Sequence, residues 1–128
     1  MRYDIIAIIA SPRGMSQMRQ LVKGLPASFP APVVCLAQCH SAFPAQLAAE
    51  SALPVRWVEA GERMQPAHVY ISPPGRTPLL VDDGSISLAP YGPESTALQP
   101  QDRFLTSIAR KYGSRALCIV LGNVVHRG

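Results

Sequence analysis

At 128 residues the chain has the size of one domain built around one core. It is 48% hydrophobic and 16% charged, a balance that excludes a disordered chain. The formal charge of +4 comes from 12 basic side chains against 8 acidic ones; the basic residues are scattered and never interleave with aromatics, which argues against a nucleic-acid partner.

Ile5–Ala10 is a continuous apolar run and reads as a strand buried on both faces, as in parallel sheets. It meets Ser11-Pro12-Arg13-Gly14 at the point where the chain must turn. Met15, Met18, Leu21, Val22 and Leu25 then recur on one helical face, which predicts a helix over Ser16–Gly24, stopped by Gly24 and Pro26. A serine at such a strand-to-helix turn has two readings. It is a helix-capping or turn residue, or it is a nucleophile raised to the carboxyl edge of a sheet.

Val33–Ala37 is a second apolar strand, and Phe43–Ser51 has helical spacing with Pro44 near its start, where a missing N–H costs little. Cys35-x-x-x-Cys39-His40 has the look of half a metal site, but no second ligand pair follows, so no metal is expected. Val55–Glu59 reads as a third strand, Gly61–Pro66 as a loop, and Val69–Ser72 as a strand closed by Pro73-Pro74-Gly75. Asp83-Gly84 between the apolar flanks Leu79–Val81 and Ile86–Leu88 predicts a hairpin. Tyr91–Pro100 reads as an irregular loop. Asp102–Tyr112 reads as a helix whose inward stripe is Phe104, Leu105, Ile108, Ala109 and Tyr112. Ala116–Leu121 is a last buried strand, followed by a turn over 122–128.

This alternation predicts an α/β fold: a doubly wound, mainly parallel sheet in three layers, carrying a small antiparallel hairpin, with residues 1–128 as a single domain. Three cysteines and no signal peptide point to reduced thiols and a cytoplasmic location. No apolar run is long enough for membrane insertion. Neither a Gly-x-Gly-x-x-Gly nor a Walker pattern occurs, so a nucleotide is not expected, and no other cofactor is indicated. A final strand with no helix after it to cover one face predicts bare apolar surface and a homo-oligomer.

The order of these segments resembles the catalytic domain of the chemotaxis protein-glutamate methylesterases, the CheB-type family. Ile9-Ala10-Ser11-x-x-Gly14 is similar to the family's Gly-Ala-Ser-Thr-Gly-Gly turn. Gln38 with Phe43 and Leu47 resembles its Gln-His-x-x-x-x-Phe segment. Glu59-Ala60-Gly61-Glu62, with Pro66 and Tyr70-Ile71-Ser72-Pro73, resembles Glu-Asp-Gly-Glu, Pro-Gly and Tyr-Ile-Ala-Pro. Asp102 with Phe104–Lys111 resembles its Ser-Val-Asp helix, and Ala116–Gly122 the strand before its Thr-Gly-Met-Gly-x-Asp-Gly loop. The resemblance covers essentially the whole chain. On this resemblance the chain is expected to be a single methylesterase-like domain, 1–128, without the family's receiver domain and the C-terminal part of its fold.

The resemblance implies hydrolysis of glutamyl methyl esters on chemoreceptors by a Ser-His-Asp triad, in which serine attacks, histidine moves the proton and aspartate orients the imidazole. Ser11 stands at the nucleophile position. The threonine that follows in the family is Pro12 here and its first glycine is Arg13. With Gln38 aligned, Cys39 occupies the histidine position, and His40, one residue on, is the candidate base. His126 is a second candidate, and Cys39 as a nucleophile beside His40 a third arrangement. Arg127 falls where the aspartate belongs. The expectation is a weakly active or inactive member of the family with Ser11 and His40 as its site. The alternative is a non-catalytic docking module for a chemoreceptor or another signalling protein.

Overall fold

A computed structural model describes residues 3–90 and 100–122. In chain order its elements are β1 (Ile5–Ala10), α1 (Met15–Lys23), β2 (Val33–Ala37), α2 (Phe43–Glu50), β3 (Val55–Trp57), β4 (Val69–Ile71), β5 (Arg76–Leu80), β6 (Ile86–Pro90), α3 (Pro100–Tyr112) and β7 (Ala116–Leu121). Five strands form one sheet in the order β3-β4-β2-β1-β7, and β5 and β6 form a separate pair. Every neighbouring pair in the large sheet is parallel, while β5 and β6 run antiparallel.

The continuous apolar runs are explained by layers on both faces. Ile6, Ile8 and Ala10 face a cluster with Met18 and Val22 of α1 and Phe43 and Leu47 of α2. Ile5, Ala7 and Ile9 face the other way, onto Leu80 and Ile86 of the hairpin and Phe104 and Ile108 of α3. No position of β1 or β2 is left for a polar residue, and none occurs there. Burying each large apolar side chain is worth about 1.5–3 kcal/mol, so β1 anchors both cores. The predicted doubly wound, three-layer arrangement is the one observed.

Beyond shifts of one or two residues at element ends, four details differ from the sequence reading. β3 stops at Trp57 rather than Glu59, because β4 offers it three residues and the chain then turns. The hairpin strands reach Arg76 and Pro90, longer than the apolar flanks suggested, because α3 packs along β5. Ala109 is exposed, since α3 buries the narrower stripe centred on Phe104 and Ile108. β7 is not buried. It is an edge strand whose positions are half-buried or exposed, with Val120 42% exposed. The irregular loop expected at Tyr91–Pro100 lies outside the described residues except for Pro100, which opens α3.

Thr77 of β5 is fully buried and its hydroxyl has no hydrogen-bond partner among the described residues. An unpaired buried hydroxyl costs about 1–3 kcal/mol on mutational scales. Thr77→Val keeps the branched shape and removes that cost. The variant is expected to unfold in urea with about 1 kcal/mol more stability than the parent, and a less stable variant would show that the hydroxyl has a partner.

Candidate functional site

Chain order reverses around β1, which lies between β2 on one side and β7 on the other. Open α/β sheets hold their ligands at the carboxyl ends of strands at such a switch. Three chain segments leave the sheet there: Ser11 after β1, Gln38-Cys39-His40 after β2, and Gly122 after β7.

Ser11 has an extended backbone (φ −74°, ψ 169°) and precedes a single 3₁₀ turn, Pro12–Gly14. Proline fits at the first position of that turn because its absent N–H would be unpaired anyway. The turn is closed by the backbone alone: Gly14 N donates to Ser11 O at 2.8 Å, and Ser11 N donates to Leu121 O at 3.1 Å. The Ser11 hydroxyl does not cap the helix. It is buried and makes no hydrogen bond to any of the described residues. Ser11 thus opens the turn through its backbone, while its hydroxyl performs no capping.

Gly122 covers the hydroxyl. A Cβ built on Gly122 would come within 2.2 Å of Ser11 Oγ and 2.5 Å of Gly14 N. A Cβ on Gly14 would meet Leu121 O at 2.4 Å and Gly122 N at 2.9 Å. The turn after β1 and the exit of β7 are thus packed backbone to backbone. Only glycine fits on either side, and Gly122 also holds φ at +80°.

No side chain of the segment after β2 hydrogen-bonds the Ser11 hydroxyl. His40 is exposed; its carbonyl accepts from Phe43 N at 3.1 Å, and its ring meets the edge of Phe43 at 6.2 Å between centroids. Cys39 turns the other way and packs against the α1–α2 core. Burial pushes its thiol above the ordinary range, which lowers the thiolate fraction needed of a nucleophile. His126 and Arg127 lie outside the described residues. Among the described residues no three His, Cys, Asp or Glu side chains group to hold a metal, and no helix is long and apolar enough to cross a membrane.

The thiols can be ranked. Burial drives Cys35 up to about 12, Cys39 is half-buried, and Cys118 is exposed on β7. At pH 8 a thiol titrating near 12 is thiolate in only about one molecule in ten thousand. Iodoacetamide at pH 8 is expected to label Cys118 first, Cys39 more slowly and Cys35 only after unfolding. Native labelling of Cys35 would contradict its burial.

Two features of this edge escaped the sequence reading. Ser72, at the end of β4, is buried; its hydroxyl donates to Ala37 O and accepts from Ala37 N, each at 3.2 Å, clamping the end of β2. Its place after Tyr70-Ile71 at a strand end was the available signal. The second is the Gly14–Gly122 approach, which no local pattern announces. Glu62, from the segment carrying the strongest family resemblance, turns out to hold a loop. Its carboxylate accepts from the Arg56 guanidinium and from Glu59 N.

The pattern of the CheB methylesterase family matches residues 6–128. A protein-glutamate methylesterase/protein-glutamine glutaminase of Anaeromyxobacter dehalogenans is 32% identical over 124 residues, covering 94% of this chain and 36% of that protein. The protein-glutamate methylesterase FrzG of Myxococcus xanthus is 32% identical over 124 residues, covering 93% and 37%. The crystal structure of the Thermotoga maritima CheB methylesterase catalytic domain superposes with a TM-score of 0.80 at 25% identity, covering 98% of this chain and 70% of that one. The chain spans about a third of the length of the curated relatives it matches.

Proposed function

Since the chain belongs to the CheB methylesterase family, we propose that it is a member with little or no methylesterase activity, which engages the chemoreceptor or another signalling protein through the family fold without turning over its methyl esters. One observation carries this reading. The hydroxyl of Ser11 is buried, has no hydrogen-bond partner among the described residues and lies against Gly122. A serine nucleophile needs a base within about 2.6–3.2 Å to take its proton, and a third group to orient that base. His40 makes no such bond, and Cys39 is a poor proton acceptor at neutral pH because burial keeps its thiol protonated. Pro12 removes a backbone N–H from the turn that would face an oxyanion.

Two measurements test the reading together. Methanol release is followed on a methylated chemoreceptor preparation with the parent chain and with Ser11→Ala. Binding to the same receptor-containing membranes is measured by co-sedimentation. The expected result is retention on the membranes with no methanol release that depends on Ser11. Release abolished by Ser11→Ala would establish an active esterase instead, and absence of binding would remove the docking part of the proposal.

A further inference from the structure

The positive charge of this chain is unevenly neutralised. Arg19, Arg56, Arg63 and Arg115 are paired with Glu50, Glu62, Asp83 and Asp4. Arg103 and Arg110 of α3 have no such partner among the described residues. They line a cavity of about 250 Å³ between α3 and the end of β5, together with Lys111, Thr106 and Asp82. The Lys111 ammonium donates one hydrogen bond, to the Asp82 carbonyl at 2.9 Å, which leaves two of its N–H groups free. The wall is fixed, because the Ser107 hydroxyl accepts from Leu80 N at 3.1 Å and donates to Phe104 O at 2.8 Å, fastening the helix to the hairpin.

Helix electrostatics explain only part of this arrangement. Arg110 and Lys111 sit in the last turn of α3, where cations suit the negative end of the dipole. Arg103 sits in the first turn beside Asp102, where a cation is disfavoured. Positions 103, 106, 107 and 110 fall on one helical stripe, so the two guanidiniums bracket the Thr106 hydroxyl along the cavity. Three cations line one cavity with only the Asp82 carboxylate in its wall, and Lys111 also reaches the Asp83 carboxylate beside it, so their repulsion is partly offset and an anion would join them further.

We propose that this groove between α3 and the hairpin is a binding site for a compact polyphosphate-type anion, held by Arg103, Arg110, Lys111 and the Thr106 hydroxyl. Guanidinium forks match the paired oxygens of a phosphate, and an ammonium adds a point charge. The cavity falls just below the ~300–1,000 Å³ usual for larger ligands, which favours a small, highly charged molecule. None of Ser11, Gln38, Cys39, His40 and Gly122 lines the groove. Its Lys111–Asp82 end lies at the amino edge of the sheet, because α3 leads from there into Ala116 beside Ile5. The proposal therefore does not depend on the methylesterase reading.

Isothermal titration of the full chain with orthophosphate, pyrophosphate and tripolyphosphate at 0.1 M salt tests it. Tripolyphosphate is expected to bind at least tenfold more tightly than orthophosphate. The double substitution Arg103→Gln/Arg110→Gln is expected to weaken it at least tenfold, Asp82→Asn to tighten it, and Lys23→Gln on α1 to leave it unchanged. Circular dichroism confirms that each variant is folded. No heat of binding at millimolar ligand, an equal loss in Lys23→Gln, or insensitivity to the double substitution would overturn the proposal. Binding of a glutamate-rich peptide in place of phosphates would overturn the ligand class.

Discussion

On a methylated chemoreceptor, the chain is expected to release methanol at least ~10⁴-fold more slowly than a family member that holds serine, histidine and aspartate together. Loss of the orienting carboxylate alone costs about that much in a serine protease, or roughly 5.5 kcal/mol of barrier. By the family resemblance Arg127 stands in the place of that carboxylate and Cys39 in the place of the imidazole. The deficit thus covers the base as well as its orienter. Triad members act as a unit, so their losses do not multiply and residual turnover comes from binding and oxyanion contacts alone. Pro12 has no backbone N–H to add to such contacts. The decisive comparison uses single-turnover rates of the parent, Ser11→Ala and His40→Gln. Equal, near-background rates in all three are expected. A rate that falls in both variants would show that His40 reaches the serine hydroxyl and would defeat the assignment.

The sheet was legible in the sequence because its strands carry one unambiguous signal each. Ile5–Ala10 and Val33–Ala37 are apolar at every position, which only a strand covered on both faces tolerates, and their observed limits agree with the reading. Asp83-Gly84 announced its turn through a glycine that the structure holds at φ +89°. The same logic misled at β7. Ala116–Leu121 is as apolar as β1, so composition predicts burial, yet strand order places it at the edge with Val120 bare. Strand order is a tertiary property and leaves no local mark. The contrast with the opposite edge is instructive, for β3 is three residues long and turns Arg56 to solvent, the usual protection of an exposed strand. At the site, sequence located Ser11 at the right turn but could not decide between cap and nucleophile. Gly122, remote in the chain, lies against the hydroxyl, which has no hydrogen-bond partner among the described residues. His40 is a candidate by its closeness in sequence to the family position, whereas its backbone is fixed by the start of α2, through the bond from Phe43 N to its carbonyl.

The stability of this turn should be as sensitive to Gly122 as its chemistry is. Gly122→Ala is expected to lower the unfolding free energy by about 3 kcal/mol, from two separable causes. A left-handed backbone at φ +80° costs an alanine about 1–2 kcal/mol, and the new methyl falls 2.2 Å from Ser11 Oγ and 2.5 Å from Gly14 N. Relief is not available by rotating a side chain alone, because Gly14 N is backbone and already donates to Ser11 O. Gly61→Ala separates the terms, since Gly61 has φ +86° but nothing within 4 Å of its added Cβ. It should cost only the backbone term, about 1 kcal/mol. Gly14→Ala supplies the complementary case, with contacts to Leu121 O and Gly122 N but no left-handed backbone. Its cost should come from overpacking alone, about 1–3 kcal/mol. Urea unfolding of the three variants checks the ordering. If Gly122→Ala were no worse than Gly61→Ala, the two turns would not be in contact, and the hydroxyl of Ser11 would stand open at the sheet edge rather than closed beneath the exit of β7.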